Sequence, residues 1–107
     1  MRTNEVSHFN KEDFITKNSF LDAKLERMQW YFPIIERILE QENMPDDIKF
    51  ISVMESSLIP DALSTSGAVG YWQFKDITAT ELGLRINRNV DQRKNIISAS
   101  HAANSSE

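Results

Sequence analysis

One carboxylate and two hydrogen-bonding side chains stand in an ordered series in the middle of this sequence. Glu55 closes a run of apolar residues, Ser64 lies in a stretch of small residues, and Gln73 follows an aromatic pair. Cleaving a glycosidic bond needs a proton on the leaving oxygen, and a carboxylic acid held on an apolar surface can supply it at neutral pH. Glu55 is therefore the candidate general acid.

The same residues also have ordinary interpretations. Glutamate is common in helices, so Glu55 alone fits a helix-end residue that reaches solvent or pairs with an arginine. Ser64 fits a loop serine that turns the backbone, and Gln73 fits a surface or capping residue. Most glycosidases use two carboxylates, and Asp61 is the candidate for the second.

The elements that position these residues are predicted to be helices, because no stretch alternates with period two for long enough to form a strand. The spacing of apolar residues predicts helices over 20–32, 33–42, 45–58, 76–82 and 91–103. Pro33 and Pro45 are placed in first turns, since proline costs about 3 kcal/mol inside a helix. Asp91 is the expected N-cap of the last helix.

The helix predicted over 45–58 carries the candidate acid. Ile48, Ile51, Glu55 and Leu58 recur at i, i+3, i+7 and i+10, so all four are expected on one face of this helix. A second apolar row makes the helix apolar on more than one side. We therefore expect Glu55 on a buried apolar face, pointing towards the loop that follows.

The segment from Met54 to Ala79 resembles the lytic transglycosylases with a goose-type-lysozyme-like domain, and in particular their membrane-bound D-type branch. The resemblance covers roughly residues 33–103. The matching pattern is Glu-Ser, then Ala-x-Ser-x-x-Gly-Ala-x-Gly-x-x-Gln, then Thr-Ala, which here begins at Glu55, reaches Gln73 and ends at Ala79. This long ordered pattern favours a shared site over the ordinary interpretations.

The resemblance implies an all-α, lysozyme-like fold and non-hydrolytic cleavage of the MurNAc–GlcNAc bond of peptidoglycan, leaving 1,6-anhydro-muramoyl ends. Glu55 would act as acid and then as base, without a second carboxylate, a metal or a cofactor. Ser64 would hydrogen-bond near the acid and the acetamido group of the substrate, and Gln73 would contact the sugar. Tyr71 is a further candidate for sugar contact, whereas Trp72 is expected inside the core. The resemblance also implies a cell-envelope or periplasmic location.

Two departures from the family pattern keep other functions open. The family's Met-Pro pair is replaced by Lys75 and Asp76, and the family's Ala-Tyr-Asn-x-Gly motif is missing beyond Ala102 and Ala103. We therefore expect a lobe that is incomplete at its C-terminal end, with a flexible arm over 1–18 and the domain portion over 19–107. The alternatives are an inactive or weakly peptidoglycan-binding remnant, or a helical interaction module.

Composition excludes several classes of function and site. With 12 basic and 16 acidic residues the net charge is −4, which gives no electrostatic basis for binding nucleic acid. The chain has no cysteine, which excludes disulfides and thiolate nucleophiles. No apolar run approaches the ~20 residues of a membrane span, and the N-terminus has no visible secretory signal.

The last predicted helix has apolar residues in need of a partner, so we expect self-association or marginal stability.

Overall fold

The computed structural model describes residues 11–106, apart from the side chains of residues 13–16. The regular structure in this range is helical and has no strand, so the predicted all-α class is confirmed. The α-helices are α1 (Lys11–Gln41), α2 (Lys49–Ser56), α3 (Asp76–Glu81) and α4 (Ile96–Ser105), and two 3-10 turns cover Asp46–Ile48 and Gln92–Lys94.

Helix α1 is continuous through Pro33, so the expected division into two helices at that residue is wrong. Proline removes one helical hydrogen bond and costs about 3 kcal/mol in a helix interior. Packing on both sides of the proline offsets this cost, because the Tyr31 ring lies edge-on to Tyr71 at 5.1 Å and Ile35 is fully buried. Residues 11–18 of the expected arm also belong to α1, and residues 1–10 lie outside the described range.

Helix α2 is shorter at both ends than the spacing predicted. Pro45 precedes the 3-10 turn, so the α-helix begins at Lys49. It ends at Ser56 because Ser57 and Leu58 both adopt left-handed backbone conformations, with φ of 53° and 60°. The Ser56 hydroxyl accepts a hydrogen bond from the Leu58 N–H at 3.1 Å, and the Leu58 side chain is fully buried.

Helix α4 packs against α1 and closes the core. Asn95 caps α4, accepting from the N–H groups of Ile97 and Ser98 at 3.0 Å, whereas the expected cap Asp91 caps the preceding 3-10 turn. Small residues on α4 allow the two helices to approach closely, and they are buried: Ala99, Ala102 and Ala103. Trp72 is also buried, as predicted, and its indole N–H donates to Ser100 Oγ at 3.0 Å.

Helix α4 finds a partner in α1 apart from Ile97, which is 52% exposed, and further apolar surface is left uncovered on α1 and α2. Phe20 and Trp30 of α1 are 70% and 71% exposed, and Met54 of α2 is 83% exposed. No helix within residues 11–106 combines the length and apolar character needed to cross a membrane.

We expect this 107-residue chain to self-associate or to have a low melting temperature, because exposed apolar patches of several hundred Å² usually mark an interface. Sedimentation at rising concentration should show growing particle mass. The variants Leu25→Glu on α1 and Met54→Glu on α2 should show which of the two exposed surfaces mediates self-association, because only the variant in that surface should stay monomeric. A monomer that stays monomeric at high concentration and melts at high temperature would contradict this expectation.

Candidate active site

Glu55 lies in the last turn of α2 and is exposed, so the expected burial of its carboxylate is wrong. The buried face of α2 is formed by Lys49, Ser52 and Ser56, while Ile51 on the side of Glu55 is 41% exposed. Polar residues therefore face inwards on this helix. This inversion is stable because each inward polar group finds a hydrogen-bond partner, which a buried polar group requires.

The two buried serines of α2 bind a single carbonyl. Ser52 Oγ and Ser56 Oγ each donate to the carbonyl oxygen of Tyr71 at 2.7 Å. Charge-neutral hydrogen bonds of this kind contribute about 1 kcal/mol each, and breaking one inside a protein costs more. They fix α2 against the segment that contains Gln73, and so they set the position of Glu55 relative to that segment.

Glu55 and Gln73 line the same cleft, which has a volume of about 240 Å³. Its walls are Ile51, Glu55, Trp72, Gln73, Phe74, Ala103 and Ser106. The cleft thus combines one carboxylate and one amide with apolar and aromatic walls, a composition typical of small-molecule sites. A larger concavity of about 530 Å³ runs along α1 from Asp22 to Trp30. Among residues 11–106 a single helix lines this concavity, and one helix does not enclose a ligand.

Gln73 has a left-handed backbone, with φ of 54°, and its side chain folds back onto the loop. Its Nε2 donates to the carbonyl oxygens of Ala62 and Gly70, both at 3.0 Å. The side chain is thus held at the cleft wall by two hydrogen bonds, and it is partly exposed. The structure brings Gln73 and Glu55 together, as the sequence pattern indicated.

Ser64 is placed differently from the other two. Its Oγ accepts from the Ala68 N–H at 3.0 Å and lies 3.0 Å from Ser66 Oγ, while its own N–H donates to the Ala68 carbonyl at 2.9 Å. Among the described residues, Ser64 is not part of the cleft lining. Its hydroxyl closes the loop that leads to Gly70 and Gln73.

Tyr71 belongs to the core rather than to the cleft, which corrects the expectation of a sugar contact. Its side chain is 3% exposed and packs edge-on against Tyr31. Burial raises the pKa of the Tyr71 phenol far above its usual value. A ring enclosed in this way cannot stack on a sugar, so the contribution of Tyr71 is its carbonyl, which the α2 serines bind.

The remaining charged candidates lie at the surface. Asp61 and Lys75 are both exposed, and Lys75 precedes the first turn of α3. Residues 11–106 contain no group of three or more His, Cys, Asp or Glu side chains that could hold a metal ion.

Sequence reasoning missed the residue that supports the Gln73 segment from the other side, Arg93. Its guanidinium is buried, donates to the Phe74 carbonyl at 3.2 Å, and pairs with Asp91 at 2.7 Å. The Arg93 hydrogen bonds hold the pKa of the Asp91 carboxyl below its usual range. The only sequence signal was a basic residue two positions after an acidic one, which is common on surfaces. The inward serines were equally hidden, although Ser56 follows Glu55 in the family pattern.

Comparison with known proteins identifies a matching family and related proteins. Residues 32–106 match the family model described as the transglycosylase SLT domain. The chain is 29% identical over 93 residues to membrane-bound lytic murein transglycosylase D of Escherichia coli K12, covering 87% of this chain and 21% of that protein. The protein of the same name from Escherichia coli O6:H1 gives the same identity and coverage. The chain therefore spans about a fifth of the length of the curated relatives it matches.

Proposed function

Because this chain belongs to the transglycosylase SLT domain family, we propose that it acts on peptidoglycan as a lytic transglycosylase. It would cleave the MurNAc–GlcNAc bond and leave 1,6-anhydro-muramoyl ends. The observation that carries the proposal is the shared cleft of Glu55 and Gln73, which places one carboxylate and one amide beside apolar walls. The cell envelope is the corresponding location, since the relatives are named as membrane-bound murein enzymes.

In the proposed reaction Glu55 works twice. It first gives its proton to the glycosidic oxygen as the bond from that oxygen to the muramoyl C1 breaks. The resulting carboxylate then takes the proton from the C6 hydroxyl of the same sugar, whose oxygen forms a new bond to C1. The protons balance within this cycle and no water is consumed. A single carboxylate therefore suffices, and Asp61 has no part in the reaction.

The exposure of Glu55 gives the bound glycan a role in preparing the site. Ile51 and Phe74 line the same cleft as the Glu55 carboxylate, and a glycan strand laid in this cleft would exclude water from it. Gln73 would hold the sugar in register with Glu55. Ser64 would act indirectly by holding the loop that positions Gln73, since its hydroxyl is already bonded to Ala68 and Ser66.

A second candidate function is glycan binding without turnover. The exposed Glu55 favours it, because general-acid catalysis gains from a site that excludes water, and the carboxylate of Glu55 is open to solvent. The family membership is the same in both cases, and only the chemistry differs.

Incubation with purified peptidoglycan separates the two functions. We expect released muropeptides whose muramoyl ends are one water lighter than those of a lysozyme digest, as measured by mass spectrometry. Fragments with hydrated ends would show hydrolysis and would overturn the transglycosylase mechanism. Retention of the chain on peptidoglycan without released fragments would support the binding module.

A further inference from the structure

The backbone at Gln73 adopts a conformation that is unfavourable for residues with a Cβ atom. A left-handed φ such as its 54° is uncommon for residues other than glycine, asparagine and aspartate. Such a conformation persists only where its surroundings over-determine it, and it tends to occur at ligand sites. The contacts around Gln73 therefore identify the residues that keep it in this conformation.

The donor half of the Gln73 side-chain amide is already hydrogen-bonded within the protein. Nε2 has two hydrogens, and two carbonyl oxygens lie at 3.0 Å from it, those of Ala62 and Gly70. A carbonyl can only accept, so this pair fixes which end of the amide points away from them. Within residues 11–106 no donor bonds to Oε1, and Gln73 forms part of the cleft wall. The group that Gln73 offers to a ligand is therefore its Oε1 acceptor, because both Nε2 hydrogens are already bonded within the protein.

Arg93 contacts the turn on both sides of Gln73. Its Nη1 donates to the carbonyl of Phe74, the residue after Gln73. Its own carbonyl oxygen packs so closely on Gly70 that a Cβ there would lie 1.9 Å from it. The Asp91 carboxylate fixes the guanidinium through both Nε and Nη2, at 2.9 and 2.7 Å. A planar fork held at two points has little freedom to move.

We propose that Arg93 is the positioning residue of this site, holding the Gly70–Phe74 turn so that Gln73 offers a bound glycan a hydrogen-bond acceptor alone. The ligand group opposite Gln73 is then a donor, either an acetamido N–H or a sugar hydroxyl. This inference rests on the proposed function for the nature of the ligand, whereas the holding of the turn is independent of it.

The free protein tests the positioning role without any substrate. We expect the side-chain amide protons of Gln73 to exchange with solvent at least about tenfold more slowly than those of the exposed Gln41, since hydrogen-bonded protons exchange only on local opening. Arg93→Lys cannot reproduce the fork and should remove most of this protection, while Arg88→Lys at an exposed arginine should leave it unchanged. Full protection of Gln73 in Arg93→Lys would overturn the role.

Destabilisation of the whole fold is separated from this effect by a thermal melt of each variant. If Arg93→Lys does not fold, Asp91→Asn takes its place, since it keeps the arginine and replaces the carboxylate that fixes the guanidinium with a neutral amide. Loss of Gln73 protection in a variant that remains folded supports the proposal, and retained protection in Asp91→Asn overturns it.

Titration with an N-acetylglucosamine tetramer tests the acceptor role. The Gln73 Cδ resonance should shift on binding while its Nε2 protons stay protected, and Arg93→Lys should weaken binding roughly three- to tenfold. In a Gln73→Ala background the same change should cause no further loss, because Arg93 acts through Gln73. Equal losses of affinity in both backgrounds would overturn the proposal, and so would a shift of the Nε2 proton resonances in place of the Cδ resonance. If the wild type does not bind the tetramer, the acceptor role falls, and the exchange result still decides the positioning role.

Discussion

Glu55→Gln is expected to reduce the release of anhydro-muropeptides by about 10²–10⁴-fold, the usual contribution of a general acid. Glutamine keeps the shape of the side chain and cannot give up a proton to the glycosidic oxygen. The fold should not change, because Glu55 is exposed and no described residue forms a hydrogen bond with its carboxylate. Quantified release from purified peptidoglycan gives the activity, and a thermal melt confirms the unchanged stability.

Asp61→Asn is the matched control, since Asp61 is an exposed carboxylate six positions along the chain from Glu55. It should retain activity, because the proposed cycle has no role for a second carboxylate. Near-wild-type release by Glu55→Gln would remove Glu55 from the mechanism. An equally damaging Asp61→Asn would instead indicate a two-carboxylate reaction, whose products would carry hydrated ends.

The helical class and the pairing of Glu55 with Gln73 could be predicted from sequence, because both depend on local patterns. Apolar residues at helical spacing are visible along α1 and α4. The series from Glu55 to Gln73 is an ordered motif whose family resemblance already implied a common site. The cleft shared by these two residues agrees with that prediction.

The orientation of α2 could not be predicted, because the period of a helix reveals its faces and not which face is buried. The row of Ile48, Ile51 and Leu58 suggested that Glu55 was buried with them. The fold buries Ser52 and Ser56 instead, since the Tyr71 carbonyl satisfies both hydroxyls. That partner lies 19 and 15 positions along the chain from them, beyond the reach of any local pattern.

The support beneath Gln73 was hidden for the same reason. Arg93 reaches the Phe74 carbonyl across 19 positions of sequence, and a buried arginine is indistinguishable in sequence from a surface one. Continuity of α1 through Pro33 was missed because propensity alone disfavours it by about 3 kcal/mol. Burial of Ile35 and Leu39 beyond the proline is a tertiary contribution that exceeds the local cost.

Gly70→Ala is expected to be the most destabilising single-methyl change in the described chain. A Cβ at this position would lie 1.9 Å from the carbonyl oxygen and 2.6 Å from the carbonyl carbon of Arg93. Both are backbone atoms, so no side-chain rotation can relieve the clash. The backbone of Gly70 is itself held, because its N–H donates to the Ala62 carbonyl at 2.9 Å. Its φ of 90° adds a conformational cost of about 1–2 kcal/mol for any residue with a Cβ.

Gly67→Ala supplies the matched control for that conformational cost. Gly67 has the same φ of 90°, but a Cβ there would meet no atom within 4 Å. We expect Gly67→Ala to lose about 1–2 kcal/mol, and Gly70→Ala to lose a further 1–3 kcal/mol or more from overpacking. Since 1 kcal/mol corresponds to roughly 4–8 °C in a domain of this size, the two melting temperatures should differ by at least about 4 °C. Equal losses would mean that the contact between Gly70 and Arg93 relaxes freely, and a turn able to relax in that way could not hold Gln73 in its strained conformation.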